Sequence, residues 1–139
     1  ENTERGAEAA AEHYLALLVY AWNTGDTQPF ADMSSPRSKF ASDYIKDVNE
    51  QYANGWNYGM ESNITYVLRV EPIEANGDDV PEGSILVKFR TETDDGTSCT
   101  RTRLQSTSTT YKSTVTFIMT WKDGGWKEVQ GRTVGDDED

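Results

Sequence analysis

The stretch that decides the fold lies near the carboxyl terminus and reads YKSTVTFIMTWKDGGWKEVQGRT over residues 111–133. In its first half, apolar residues alternate with Thr and Lys at a spacing of two, which predicts a β-strand with one buried face. Asp123-Gly124-Gly125 is a turn signal, after which the chain returns from Trp126 to Thr133 as the antiparallel partner. The stretch therefore predicts a long β-hairpin whose aromatic face packs on a core.

Two earlier segments show the same alternation of apolar and polar residues. The apolar positions are Ile64, Tyr66, Leu68 and Val70 in the first segment, and Ile85, Val87 and Phe89 in the second. Each segment predicts a half-buried strand. The Thr- and Ser-rich stretch that follows the Asp94-Asp95-Gly96 turn and runs to Thr110 is interpreted as an exposed strand with a loop.

The first third of the chain has helical periodicity. Apolar residues recur at intervals of three and four from Ala7 to Trp22, which predicts one long amphipathic helix. Gly25 follows it and suits the left-handed conformation that ends many helices. After a short helix over residues 27–31, a second helix is predicted to begin at Ser35-Pro36, a serine cap with proline at the first helical position, and to end at Gly55.

Helices followed by antiparallel strands are typical of the α+β class. The half-buried strands need a cover, and only the N-terminal helices can supply it. We therefore expect two to three helices packed on a curved antiparallel sheet of about four to six strands, a cone-like roll around the first helix. Residues 6–134 are predicted to form this single domain, with residues 1–5 as a linker remnant and residues 135–139 as an acidic, disordered tail.

Composition excludes several classes of function. The 139 residues carry 13 Lys and Arg against 24 Asp and Glu, a net charge of −11, which argues against a nucleic-acid partner. The longest apolar run, Leu15 to Trp22, is far shorter than a membrane span. A single Cys excludes an internal disulfide and a cysteine-rich metal site. The acidic turns Asp78-Asp79 and Asp94-Asp95 lack the ligand pattern of a calcium loop, so no metal is expected. No glycine-rich phosphate loop occurs, and no cofactor is expected.

The order of these elements is similar to that of the nuclear transport factor 2-like superfamily. The resemblance is carried by the Asn23-Thr24-Gly25-Asp26 end of the first helix, the Pro29-Phe30-Ala31 turn and the hairpin from Phe117 to Val129. It implies an α+β cone, the fold of ketosteroid isomerase and of the SnoaL-like polyketide cyclases. It covers most of the chain, from about Ala7 to Thr133.

Within that superfamily the chain looks most like actinobacterial lipoproteins of unknown function, which begin with a segment like Gly6-Ala7-Glu8-Ala9. This resemblance implies a domain outside the cytoplasmic membrane, held there by an N-terminal lipid anchor that the sequence does not contain. Those lipoproteins often carry a Cys-x-x-Cys pair where this chain has Ser38 and Ala41. A redox role at that position is therefore not expected.

The catalytic residues of ketosteroid isomerase are not matched. Leu18 stands where that enzyme has the tyrosine that holds an oxyanion, and no segment matches its general base. His13 is the default acid–base candidate by its pKa, but it lies on the flank of the first helix and is expected to be non-catalytic. Asp26 is interpreted as a turn residue, and Cys99 as an incidental thiol.

Aromatic residues are the remaining candidates for a binding site. The candidate positions are Tyr14, Trp22, Phe40, Tyr44, Tyr66, Phe89 and Phe117. Their spacing directs them toward the interior of the cone. There they either fill a core or line a cavity for a small apolar or carbohydrate-like ligand.

Three hypotheses of function follow. The first is a non-enzymatic accessory domain of the cell envelope that binds a small molecule or a protein partner. The second is an enzyme of the SnoaL or isomerase type that uses His13 or Tyr14 in an open aromatic pocket. The third is a homodimer joined through the polar face of the sheet, at Thr110, Lys112, Thr114, Thr116 and Thr120.

Overall fold

Three helices precede seven strands in the computed structural model, which describes residues 2–77, 80–100, 104–106 and 110–135. The helices are α1 (Glu4–Thr24), α2 (Gln28–Asp32) and α3 (Lys39–Asn54). The strands are β1 (Gly55–Tyr58), β2 (Glu61–Pro72), β3 (Ile85–Asp94), β4 (Thr97–Thr100), β5 (Leu104–Ser106), β6 (Thr110–Lys122) and β7 (Gly125–Gly135). None of the helices in these ranges is both long enough and apolar enough to cross a bilayer.

Four strands form an antiparallel sheet in the order β2-β3-β6-β7, and β1, β4 and β5 form a second, smaller sheet. The α+β class, with N-terminal helices packed on antiparallel strands, is therefore confirmed. The four strands of the main sheet lie within the four to six expected. Strands β1 and β5 of the second sheet are not predicted, because they have only four and three residues and show no alternation in the sequence. The predicted acidic tail lies outside the described residues except for Gly135, which ends β7.

Helix α1 is capped at both ends by the residues that the sequence offers. Thr3 Oγ1 accepts a hydrogen bond from the backbone N–H of Gly6 at 3.0 Å, so the helix begins inside the segment expected to be a linker. At the other end, Gly25 has a φ of 79° and donates its N–H to the Ala21 carbonyl at 2.8 Å. The predicted left-handed role of Gly25 is confirmed.

Helix α3 begins three residues later than predicted. Ser38, rather than Ser35, is its cap, and the Ser38 Oγ accepts a hydrogen bond from the Ala41 N–H at 3.1 Å. Ser35 instead donates its backbone N–H to the Glu128 carbonyl at 2.7 Å. This tertiary bond to β7 holds Ser35 and Pro36 outside the helix.

The hairpin of β6 and β7 is confirmed. Asp123 and Gly124 have φ values of 53° and 85°, the conformation of a two-residue hairpin turn that follows the twist of the strands. Alternate residues of β6 are buried, among them Val115, Phe117 and Met119. They pack with Val87 and Phe89 of β3 against the apolar side of α1, so the core lies on the concave face of the four-stranded sheet.

Strand β2 does not keep the predicted alternation. Its pairing with β3 is shifted between Ile64 and Tyr66 and again between Val67 and Arg69. These β-bulges change which face each side chain occupies. Tyr66 is consequently 59% exposed, opposite Arg90 on the outer face, and the interpretation of Tyr66 as an interior residue is wrong.

One residue of the predicted dimer face is also differently placed. Thr120 is buried, with its hydroxyl 2.7 Å from the Ser84 hydroxyl, and Ser84 in turn donates to the Pro81 carbonyl. The loop before β3 therefore covers this end of the outer face. Thr114 and Thr116 remain half-buried, and Lys112 remains exposed.

Replacing Gly131 with Ala is expected to lower the free energy of unfolding by about 1–3 kcal/mol, since overpacking a filled core has that cost. A Cβ at Gly131 would lie 2.7 Å from Cγ of the Phe40 ring, so the ring would have to shift. Gly125→Ala in the same strand is the control, because a Cβ there meets nothing within 4 Å. Urea unfolding of both variants measures the two losses of unfolding free energy. Equal losses would contradict the close packing of Phe40 against Gly131.

Candidate functional site

A cavity of about 260 Å³ lies between the helices and the concave face of the sheet, and it is partly open to solvent. Its apolar wall comes mainly from α1, with Leu15, Leu18 and Trp22, and is completed by Tyr44, Met60 and Val115. The opposite wall is polar, consisting of Asn57, Ser62, Thr91, Thr93, Asp95, Ser98, Tyr111, Ser113 and Thr133. The cone is therefore hollow at this end, and the two walls differ in chemistry.

The polar wall is built by hydroxyl pairs across neighbouring strands. The Thr91 and Ser113 hydroxyls lie 2.8 Å apart, and so do those of Ser62 and Thr93. Thr91, Thr93 and Ser113 are each less than 5% exposed. In both pairs either hydroxyl can be the donor, so the wall can present a donor or an acceptor to a ligand.

These hydroxyls continue the buried face of the same strands that form the core. Val87 and Phe89 of β3 are followed on that face by Thr91 and Thr93. In β6, Ser113 precedes the buried Val115 on the same face. One face of the sheet is therefore apolar at its closed end and hydroxylated at its open end.

Charge is confined to the rim. Asp95 is the one residue with a full charge among the described residues that line the cavity, and it is exposed to solvent. Burial, together with the nearby Tyr44 and Asp95, raises the pKa of Tyr111 above its usual value. Tyr111 therefore stays neutral and offers a hydroxyl at the mouth of the cavity.

The structure separates the seven predicted aromatic residues into three groups. Trp22 and Tyr44 line the cavity. Tyr66 lies on the outer face of the sheet. The remaining four are part of the core or pack against it: Tyr14, Phe40, Phe89 and Phe117.

The aromatic core fills the closed end of the cone. The Phe117 ring centroid lies 5.0 Å from that of Tyr14, 5.4 Å from that of Phe40 and 5.9 Å from that of Phe89, all in edge-to-face contact. Phe30 stacks on Tyr14 at 4.6 Å. These rings are packed against one another, and none of them lines the cavity.

A buried carboxyl group, that of Glu128, lies in this closed end. Glu128 is not among the site residues predicted from the sequence. Glu128 of β7 is 0% exposed. Its Oε1 is 3.2 Å from the Tyr14 hydroxyl, and its Oε2 accepts a hydrogen bond from the Ser38 hydroxyl at 3.0 Å. Burial raises the pKa of Glu128 to about 7, although both hydroxyl contacts favour the charged form.

Hydrogen bonds link Glu128 to the first helix and to the loop after α2. The Tyr14 hydroxyl donates to Glu128 Oε1 at 3.2 Å and lies 2.7 Å from the Ser34 hydroxyl. The Ser34 hydroxyl is also 2.7 Å from the Phe30 carbonyl. Burial and the neighbouring Glu128 carboxylate raise the pKa of Tyr14 above its usual value, so Tyr14 stays neutral and keeps its hydrogen.

The other candidate residues lie outside the cavity lining. His13 is exposed on α1. Asp26 accepts the backbone N–H of Gln28 at 3.1 Å, as expected of a turn residue. Cys99 is half-buried in β4, opposite Trp56. The described residues contain no group of three or more His, Cys, Asp or Glu side chains that could hold a metal ion.

The fold and its cavity define an α+β cone of the nuclear transport factor 2-like, or cystatin-like, type. A member of that superfamily from Salmonella enterica serovar Typhimurium is 10% identical, with a TM-score of 0.60 over 95% of this chain and 89% of the other. An uncharacterized protein with a cystatin-like fold from Caulobacter vibrioides is 14% identical, with a TM-score of 0.53 over 94% and 89%. The β subunit of benzoate 1,2-dioxygenase from Burkholderia mallei is 12% identical, with a TM-score of 0.55 over 93% and 90%.

The chain belongs to the DUF6318 family, a family of unknown function, whose model matches residues 1–131. No curated protein matches the sequence. At identities of 9–14% the similar solved structures show the fold alone.

Proposed function

We propose that this domain binds a small, uncharged molecule with one apolar and one polar face, and that it is not an enzyme. The observation that carries the proposal is the cavity of about 260 Å³ with an apolar wall on α1 and a hydroxylated wall on the sheet. The volume is close to the lower end of the roughly 300–1,000 Å³ of small-molecule sites. A ligand about the size of one sugar ring or one hydroxylated aromatic ring suits these walls.

The described residues that line the inner part of the cavity are uncharged, which favours an uncharged ligand. A charged ligand would lose its hydration inside the cavity, and the hydroxyls of Thr91, Thr93 and Ser113 would only partly replace it. Anions would in addition be repelled by Asp95 at the rim and by the net charge of −11.

The wall chemistry favours a ligand that carries hydroxyl groups. Reversible pairs such as Thr91 with Ser113 can donate to one ligand oxygen and accept from another. Across the cavity, Leu18 and the rings of Trp22 and Tyr44 offer the apolar contact that the other face of a ring requires. A carbohydrate-like or hydroxylated cyclic ligand uses both walls.

The alternative, an isomerase-like enzyme, needs an acid–base pair in contact with the ligand. One observation favours it: Glu128, with a pKa raised to about 7, lies beside Tyr14. Neither residue lines the cavity, however, and the rings of Phe40 and Phe117 pack against Tyr14. The binding hypothesis is therefore preferred.

We also propose that the domain works outside the cytoplasmic membrane, where an N-terminal lipid anchor holds it. The resemblance of Gly6-Ala7-Glu8-Ala9 to the start of actinobacterial lipoproteins supports this location. Expression of the full-length gene product with a labelled fatty acid, followed by membrane fractionation, tests it. A protein found unlabelled in the soluble fraction would contradict it.

Thr91→Val is expected to weaken ligand binding about tenfold or more, because it removes a buried hydroxyl and leaves the Ser113 hydroxyl without its partner. The measurement is a ligand-observed NMR screen of neutral sugars, polyols and hydroxylated aromatic compounds, followed by titration of each hit. Thr116→Val is the control, since Thr116 lies on the outer face of the same sheet. If the screen gives no hit, or if both variants bind equally, the proposal fails.

A further inference from the structure

The middle of the outer face of the four-stranded sheet is basic, although the whole chain has a net charge of −11. One row across the sheet consists of Arg69, Lys88, Thr116 and Arg132, each opposite the next. The adjacent row consists of Tyr66, Arg90, Thr114 and Val134. We call these two rows, together with Lys112, the basic face.

The cationic side chains point away from the core. In β3, Lys88 and Arg90 alternate with Val87 and Phe89, which are fully buried on the concave side. Arg90 is also held against the sheet, because its Nη1 donates to the Thr114 hydroxyl at 2.8 Å. The charges are therefore presented at fixed positions along the strands.

Positive charge exceeds negative charge on this face. Among the described residues, the two rows hold four cations and no carboxylate; Lys112 adds a fifth cation, opposite Glu92. Arg69 forms an ion pair with Glu71, which lies beside these rows. Among the described residues of this area, the five cations therefore outnumber the carboxylates of Glu71 and Glu92. Like charges on neighbouring strands repel each other, so this arrangement has a cost in the isolated domain.

We propose that the basic face binds an acidic segment of a partner protein. The charges are spread over four strands, roughly 15 Å at the ~4.8 Å spacing of a sheet, which is too wide for a single small anion. Exposed apolar side chains lie beside them, with Tyr66 59% and Leu68 42% exposed. Arginine and tyrosine together are enriched at protein interfaces and at their hot spots.

A second copy of this chain is a poorer occupant. In a two-fold dimer the same surface faces itself, so the rows of Lys88 and Arg132 would meet cations of the same kind. Such juxtaposed like charges suppress association. The basic face therefore argues against the homodimer through the polar face of the sheet, and it is independent of the cavity and its ligand.

The test is a titration of the full chain with a synthetic peptide of alternating Glu and Leu, followed by amide NMR shifts. We expect shifts confined to the outer positions of β3, β6 and β7, and affinity that falls as salt rises. Lys88→Glu with Arg132→Glu is expected to weaken binding at least tenfold. Lys46→Glu with Lys122→Glu is the matched control, since it changes the net charge equally at exposed positions on α3 and at the end of the hairpin.

Four results would overturn the proposal. Equal binding by the two double variants would show that the net charge, and not this face, attracts the peptide. Sedimentation that shows a dimer lost only in the Lys88→Glu, Arg132→Glu variant would assign the face to a second copy. Peptide binding that occurs only after residues 136–139 are removed would assign it to the acidic end of the chain itself. Binding to phosphatidylglycerol vesicles but not to the peptide would assign it to a lipid surface, which also overturns it.

Discussion

Glu128→Gln is expected to remove about 3 kcal/mol of pH dependence from the stability of this domain. Burial raises the pKa of Glu128 from 4.5 to about 7 in the folded state. In the unfolded chain the carboxyl group returns to its ordinary value. This difference in pKa between the folded and unfolded states corresponds to about 3 kcal/mol of unfolding free energy, at about 1.4 kcal/mol per pKa unit.

The sign follows from which state binds the proton more tightly. Because the pKa is raised on folding, the folded state keeps the proton of Glu128 between pH 4.5 and about 7, whereas the unfolded state loses it. Ionisation therefore stabilises the unfolded state in this range. The wild-type protein gains the full benefit of Glu128 below pH 4.5 and loses it as the pH rises to about 7.

Urea unfolding at a series of pH values between 4.5 and 8 measures the effect. Gln resembles the protonated carboxyl in size and polarity, so the two proteins should have similar stability at pH 4.5. At pH 8 the variant should be more stable by about 3 kcal/mol. The control is Glu92→Gln, at an exposed position in β3. A stability difference between wild type and Glu128→Gln that is constant across the series would contradict the buried, protonated state.

The sequence predicts those elements whose pattern is set by local chemistry. The hairpin of β6 and β7 follows from alternation around the Asp123-Gly124 turn, and the end of α1 from Gly25. The residue at which α3 begins is not determined by local chemistry alone. Both Ser35 and Ser38 are good caps, and the choice between them is made by the bond from Ser35 to β7, far along the chain.

Bulges are a second reason for error. The alternation from Ile64 to Val70 is regular in the sequence, but two register shifts in β2 turn Tyr66 outward. An extra residue in a strand leaves no trace in a pattern of apolar and polar residues. The face of Tyr66 could therefore not be read from its spacing.

Only part of the cavity lining can be predicted from the sequence. Trp22 and Tyr44 are predicted because aromatic residues at helical spacing indicate an interior position. The hydroxyl wall could have been found by continuing the alternation of β3 past Phe89 to Thr91 and Thr93. Glu128 could not, since a Glu in an edge strand ordinarily faces solvent, and only the tertiary structure places Tyr14 and Ser38 around it.

Phe117→Ala is expected to cost about 3–5 kcal/mol of unfolding free energy, the largest effect among these predictions. Phe117 is 0% exposed and contacts the rings of Tyr14, Phe40 and Phe89. Its removal deletes the contacts of three rings and leaves a void that the surrounding sheet cannot fill. Because small domains have a total stability of about 5–15 kcal/mol, this loss would leave little margin.

Urea unfolding of an Ala variant of a cavity residue separates the aromatic rings that stabilise the fold from those that are available to contact a ligand. Trp22 is only half-buried and lines open space, so Trp22→Ala should cost clearly less stability than Phe117→Ala although the side chain is larger. If the slopes of the two urea unfolding curves are unchanged, their midpoints measure the loss of unfolding free energy in both variants on the same scale. If Trp22→Ala proves the more destabilising, the cone is closed where we describe it as hollow. If Phe117→Ala is the more destabilising variant, the packing at the closed end of the cone, near Glu128, contributes most to stability. The open end, near Thr91, then contributes less to stability and has space for a ligand.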